Sequence, residues 1–150
     1  MVRQFERQNT PDLLLIVDLW QPREPTAADR DHVELAVSLA ATLASDACRR
    51  GAGQLVVALA GNRVEVTHGA GSTGRLHDVL ERLAVAEADQ RDHLPQTLVE
   101  ALAIASPQSQ MVLVSTRDCE LADSRRFAVL AQEPRFRPLA ARCVRLNTAS

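Results

Sequence analysis

The stretch Leu13-Leu14-Leu15-Ile16-Val17-Asp18-Leu19-Trp20-Gln21-Pro22 decides the fold. Its apolar run shows no polar alternation, so the strand it forms is buried on both faces, as strands of a parallel sheet are. The run stops at a carboxylate and gives way to a loop containing Pro22 and Pro25. Open α/β sheets build their sites at the carboxyl ends of their strands. Asp18 is therefore the first candidate functional residue, and its neighbours decide what it can do there.

Downstream of the loop, Thr26 reads as a helix N-cap with Asp29 in capping-box position. Val33, Val37, Ala40, Leu43/Ala44 and Ala47 then recur at helical spacing, and Gly51 ends the helix. Gln54 to Ala60 is a second apolar strand. Gly61-Asn62 joins it to Arg63-Val64-Glu65-Val66-Thr67-His68, which alternates polar and apolar. That pair signals a tight hairpin whose turn uses positive φ values, and the alternation marks an antiparallel edge strand. Ser72 or Thr73 caps the next helix, which runs to about Glu87 with Val79, Leu80, Leu83 and Ala84 buried.

After a charged loop from Asp89 to His93, Pro95 suits the first turn of a helix carrying Leu98, Leu102 and Ala105, which Pro107 stops. Met111-Val112-Leu113-Val114 is the heart of a strand over Gln110 to Ser115. Leu121 to Gln132 reads as a helix, Pro134 and Pro138 break the segment after it, and Cys143-Val144-Arg145-Leu146 is a last strand. Residues 1–12 form a polar lead-in, and 13–150 a single domain. The order β-α-β-β-α-α-β-α-β predicts a three-layer, mostly parallel, Rossmann-type α/β sheet with one antiparallel edge strand. The first strand is central, so the switch point lies between it and the strand ending at Ser115. Asp18 and the turn Ser115-Thr116-Arg117 are expected to meet there.

Composition narrows the function classes. Aromatics make up only 3% of the 150 residues, so the core is built from Leu, Val and Ala. A net charge of -2 points away from nucleic acid and anionic membranes. All seventeen basic residues are Arg, spread along the whole chain, which reads as compositional bias. The three cysteines, at 48, 119 and 143, have no metal-binding or C-x-x-C spacing and fit a reduced, cytoplasmic compartment. No apolar run is long enough to span a bilayer, so direct membrane insertion is not expected. The first residues lack an apolar signal core.

Gly69-Ala70-Gly71-Ser72-Thr73-Gly74 matches the dinucleotide fingerprint G-x-G-x-x-G, with Glu87, Asp89 and Asp92 near the acidic distance. Position argues against it, because it follows an antiparallel edge strand and so lies on the rim opposite the switch point. The absence of Lys excludes a Walker phosphate loop. Ser38, Ser115, His68 and Asp18 form no G-x-S-x-G triad, and His32, His68, His77 and His93 are scattered. Asp118-Cys119-Glu120 reads as a solvated loop, and Arg125-Arg126 and Arg135-Phe136-Arg137 as surface. Trp20, the sole Trp, is either an anchor for a partner or a plug for the crevice.

Asp18 at the end of strand one, the hairpin and the switch point together resemble a von Willebrand factor A-type domain. More closely, the chain resembles the carboxyl-terminal module of domain-of-unknown-function family 58. A lead-in like Met1-Val2-Arg3-Gln4-Phe5-Glu6 and a run like Ala84-Val85-Ala86-Glu87 occur there. The resemblance implies a fragment of a larger membrane-anchored protein acting with a MoxR-type AAA+ ATPase. It also implies a metal site of the Asp-x-Ser-x-Ser kind, completed by a Thr and a second Asp, all hard oxygen ligands. Asp18 fills the first position and Thr97 stands for the Thr. Trp20 and Pro22 replace the two Ser, and Thr116 replaces the second Asp.

The set is too depleted to hold Mg²⁺, so no metal or cofactor is expected, and Asp18 is left to cap the neighbouring loop or first helix through backbone N–H groups. The expected function is a non-enzymatic protein-interaction module. Its partner-facing edge would be formed by Asp18, Trp20, Thr97, Thr116 and Arg117. A small-molecule or nucleotide-binding α/β domain using the same crevice or the Gly69 to Gly74 loop is the alternative, and a hydrolase built on Asp18 and Asp118 ranks last.

Overall fold

The computed structural model describes residues 11–149, so the Met1 to Glu6 lead-in lies outside the described residues. The elements are β1 (Leu13–Asp18), α1 (Ala27–Arg49), β2 (Leu55–Ala60), β3 (Val64–Gly69), α2 (Thr73–Ala84), α3 (Leu94–Leu102), β4 (Gln110–Ser115), a 3-10 turn (Ala128–Leu130), α4 (Phe136–Ala141) and β5 (Val144–Asn147). They form a five-stranded sheet in the order β3-β2-β1-β4-β5. Among the described residues, β2–β3 is the one antiparallel pair. The architecture is α/β with a mostly parallel sheet, compatible with a Rossmann-like fold. β1 is central, and its register sets Asp18 level with Ala60 on one side and Ser115 on the other.

Alternate strand residues feed two apolar clusters, as the two-residue period of a strand requires. Leu14, Ile16, Met111 and Leu113 pack with Leu94, Leu98 and Leu102 of α3 and with Phe127, Phe136 and Leu139. Leu15, Val17, Val57 and Val114 pack with α1 and α2. The buried stripe of α1 is entirely alanine, Ala36, Ala40, Ala44 and Ala47, so this long helix lies close to the sheet. Each fully buried Leu contributes about 1.5–3 kcal/mol.

The caps form as read. Thr26 Oγ1 accepts from Asp29 N at 3.1 Å, and Asp29 Oδ2 accepts from Thr26 N at 2.8 Å, an arrangement worth about 1 kcal/mol. Ser72 Oγ accepts from Arg75 N at 3.2 Å to start α2. Gly51, with φ +73°, follows the end of α1.

Four expectations are corrected. The hairpin is present, but among the described residues Gly51 alone has positive φ, so Gly61-Asn62 makes no positive-φ turn. Gly61 serves a different need: a Cβ there would lie 2.3 Å from the Glu87 carbonyl oxygen. α2 stops at Ala84 rather than Glu87 because the chain leaves the helix to pack along that turn, where Asn62 N donates to Glu87 O at 2.8 Å.

The helix expected over Leu121 to Gln132 is replaced by turns and the 3-10 segment. Asp123 Oδ1 accepts from the backbone of Arg125 and Arg126, which competes with helical bonding. Leu130, Ala131 and Glu133 each donate to the carbonyl three residues back, the tighter 3-10 pattern. Lastly, Pro138 does not break the chain. It sits in the first turn of α4, where its missing N–H has no helical partner to lose.

The glycine-rich loop lies on the rim away from Asp18. Gly69 pairs with Leu55 at the start of β2, and Gly71 N donates to Ala52 O at 3.1 Å. Two of its glycines serve packing: a Cβ at Gly69 would meet Arg75 Cδ at 3.1 Å, and one at Gly71 would lie 2.7 Å from Ala52 O. The buried Arg75 guanidinium ties α2 to the hairpin through Thr67 Oγ1 (2.8 Å) and Leu55 O (3.1 Å).

Two glycine substitutions separate close approach from mere flexibility. Gly61→Ala is expected to cost about 1–3 kcal/mol, because backbone must shift to admit the Cβ. Gly74→Ala meets nothing within 4 Å and is expected to stabilise by about 0.5 kcal/mol. Urea unfolding of both variants checks the pair, and equal effects would refute the close-approach account.

Candidate functional site

β1 is buried between β2 and β4, so it delivers Asp18 into the interior, where the side chain is 2% exposed. A carboxylate there needs partners. The turn after β4 supplies them. Ser115 Oγ donates to Asp18 Oδ2 at 2.8 Å, and Arg117 donates from Nε to Oδ2 at 2.9 Å and from Nη2 to Oδ1 at 3.3 Å. Arg117 N donates to Ser115 Oγ at 3.1 Å, which closes the turn, and the Cys119 thiol donates to Asp18 Oδ2 at 3.5 Å. The carboxylate is thus held by side chains, not by the backbone N–H groups expected of a loop or helix cap, and α1 has its own cap in Thr26.

The same guanidinium reaches outward. Arg117 Nη2 lies 2.6 Å from Asp92 Oδ1, and Arg126 clamps Asp92 through Nε (2.7 Å) and Nη2 (2.9 Å). Burial opposes the charge on Asp92, but the two arginines outweigh it and hold its pKa down at about 2. The Arg117 and Arg126 pKa values are both raised, because burial, which lowers them, is outweighed by their carboxylate partners. Burial pushes the Cys119 thiol pKa up, and the Asp18 charge adds to this.

Residues 86–93 form a strap across this edge. Asp89 N donates to Leu19 O at 3.2 Å and Gln21 N to Asp89 O at 3.0 Å, so the chain beyond β1 pairs briefly with the strap. Trp20 is half-buried. Its Nε1 donates to Gln90 O at 2.7 Å, and the Arg117 guanidinium stands 5.2 Å from its ring centroid, a cation–π distance. Thr116 Oγ1 accepts from Trp20 N at 2.9 Å and donates to Trp20 O. His93 Nδ1 lies 2.6 Å from Gly61 O at the end of the strap.

The meeting of Asp18 with Ser115, Thr116 and Arg117 falls where the strand order placed it. The expected partner-facing edge divides, however. Trp20 and Arg117 are partly exposed, whereas Asp18 and Thr116 are buried. Thr97 is fully buried, with its hydroxyl donating to His93 O at 2.8 Å inside α3, so it offers nothing to a partner.

Asp92 and Arg126 are the members that sequence reasoning missed in this role. No spacing ties either to Arg117, since 25 residues separate Asp92 from Arg117 and 34 separate it from Arg126. Asp118 is not part of the cluster and accepts from Asn147 Nδ2 at 2.5 Å. Among the described residues, no group of three or more His, Cys, Asp or Glu is placed to hold a metal ion. No protein family, curated protein or solved structure matches the chain.

Asp18→Ala takes the inner carboxylate from a largely buried guanidinium, leaving it Asp92 alone, and is expected to cost about 3 kcal/mol. Asp18→Asn keeps an acceptor for Ser115 and is expected to cost less. Chemical denaturation of both variants measures the difference, and equal, negligible losses would overturn this role.

The pH dependence follows from Asp92. Its folded pKa of about 2 lies below the ordinary 3.8. Its contribution is therefore full above that ordinary value and is lost as pH falls toward the folded value. An acid titration of Asp92→Asn should lose less stability than the wild type between about pH 4 and 2.

Proposed function

We propose that this chain is a non-enzymatic protein-interaction module on a three-layer, von Willebrand factor A-like sheet whose metal site has been replaced by an internal ion pair. The observation that carries this reading is the Arg117 guanidinium on both oxygens of Asp18. It brings positive charge to the carboxylate that an A-type domain would turn toward Mg²⁺. The remaining donors do not fit the ion either. Trp20 and Pro22 supply no side-chain ligand, and the hydroxyls of Thr97 and Thr116 are spent on His93 O and Trp20 O.

The chemistry of the cluster argues against catalysis in the same way. Ser115 donates its hydroxyl hydrogen bond to Asp18, no His among the described residues partners either of them, and burial pushes the Cys119 thiol pKa up. What the edge presents outward is Trp20 packed under Arg117, a residue pair favoured at protein contacts. The resemblance to family 58 modules points to a MoxR-type AAA+ ATPase as the partner and to a membrane-anchored parent protein. Among the described residues, no helix is long and apolar enough to cross a membrane.

A small-molecule reading rests on one feature, a crevice of about 350 Å³ lined by Leu113, Ser115, Arg117, Cys119, Arg145 and Leu146 among others. A thermal-shift screen with nucleotides tests it. A rise in melting temperature that Arg145→Ala removes would favour it over the docking reading.

Millimolar Mg²⁺ or Mn²⁺ is expected to leave the melting temperature unchanged. A clear rise, abolished by Asp18→Ala, would overturn the loss of the metal site. Titration calorimetry against a purified MoxR-type ATPase tests the edge. Trp20→Ala is expected to weaken binding about tenfold or more while the domain stays folded, and an undiminished affinity would refute the docking role of Trp20.

A further inference from the structure

The solvent side of α1 carries a pattern that is its own complement. Asp31, Leu35, Ser38, Thr42, Ser45 and Arg49 recur at helical spacing on the side turned away from the buried Ala36, Ala40, Ala44 and Ala47. Leu35 is 54% exposed, one of the most exposed large apolar side chains among the described residues. Further along the helix, a groove of about 500 Å³ opens between α1 and α2, lined by Ser38, Ala41, Thr42, Ser45 and Leu76 among others. None of the residues lining it is fully buried, so their surfaces are open to contact. Thr42 Oγ1 donates to Ser38 O at 3.0 Å, which leaves its methyl group rather than its hydroxyl for that contact.

The charges stand at the two ends of this face. Among the described residues nothing pairs with the Asp31 carboxylate. Arg49, with its side chain 78% exposed, makes one long contact, 3.5 Å to Asp46, and Arg50 holds that carboxylate more closely at 2.9 Å. Exposed pairs of this kind contribute little, so Arg49 is free to change partner. A helix with an acid at one end and a base at the other complements an antiparallel copy of itself, and the opposed helix dipoles add to the match. A partner of a single charge sign would meet its own sign at one end.

Two independent matches give the same axis. Antiparallel pairing of Asp31 with Arg49 of a second copy centres on the level of Ala40. Ala40 is also midway between Leu35 and Ser45, so the same axis seats each Leu35 on the groove of the other copy. At about 1.5 Å of rise per residue, Leu35 and Ser45 each stand about 7.5 Å from that level.

We infer that two copies of this chain associate through α1, antiparallel about a two-fold axis at the level of Ala40. The inference does not depend on the role of the Asp18 edge. Sedimentation of the full chain over about 1–200 μM tests it, and a dimer fraction that rises with concentration is expected. Leu35→Glu, an exposed change, is expected to weaken association about tenfold or more. Asp31→Arg and Arg49→Glu each set like charges against one another across the axis and are each expected to weaken it about tenfold. The double variant, or an equimolar mixture of the two single variants, restores opposite charges and is expected to regain the dimer.

A chain that stays monomeric up to about 200 μM, or a dimer that Leu35→Glu leaves intact, would overturn the inference. So would charge reversals that the double variant fails to rescue.

Discussion

The ion pair between Asp18 and Arg117 is the constraint around which the carboxyl edge is organised. β1 is central and buried on both faces, so its last residue is carried into the interior whatever its charge. A buried carboxylate without partners would cost several kcal/mol. The turn after β4 answers this with one hydroxyl and one guanidinium. Arg117 then needs to be held in its turn, and Trp20, Asp92 and, through Asp92, Arg126 do so. The cluster is a chain of compensations that begins at one acidic residue in an apolar strand.

That chain also explains the strap over 86–93. It passes from α2, which packs with one apolar cluster, to α3, which packs with the other, and must therefore cross the edge of the sheet. Its backbone pairs with Leu19 and Gln21, and its Asp92 is gripped by two arginines. Gly61 is small because the strap's Glu87 carbonyl passes against it. Trp20 is fixed by the same strap. Its indole is anchored under the strap through Gln90, while part of the ring stays at the surface beside Arg117.

Much of the fold was legible because its signals are local. The unbroken apolar runs of β1, β2 and β4, the Thr26–Asp29 box and the alternation of β3 each declare an element without reference to the rest of the chain. Strand order followed from connection lengths and handedness, and it brought Asp18 to Ser115, Thr116 and Arg117. The illegible parts are those where a distant partner overrides a local preference. Leu121 to Gln132 has helical spacing, but Asp123 takes backbone N–H groups and Arg126 is drawn to Asp92, so tight turns win. Thr97 reads as an edge residue by position, yet the packing of α3 buries it.

By itself, then, the sequence determined the strands and the first three helices, the central place of β1 and the edge at which its carboxylate would stand, because hydrophobic period, caps and connection lengths act over a few residues. The identity of Asp18's partners was left to the tertiary structure. An arginine at 117 is one of seventeen in the sequence. Only the parallel register of β1 and β4, and the strap that brings Asp92 across 25 residues of chain, set this one on the carboxylate. Charge pairing is a matter of a few ångströms in space, and spacing along the chain carries no record of it.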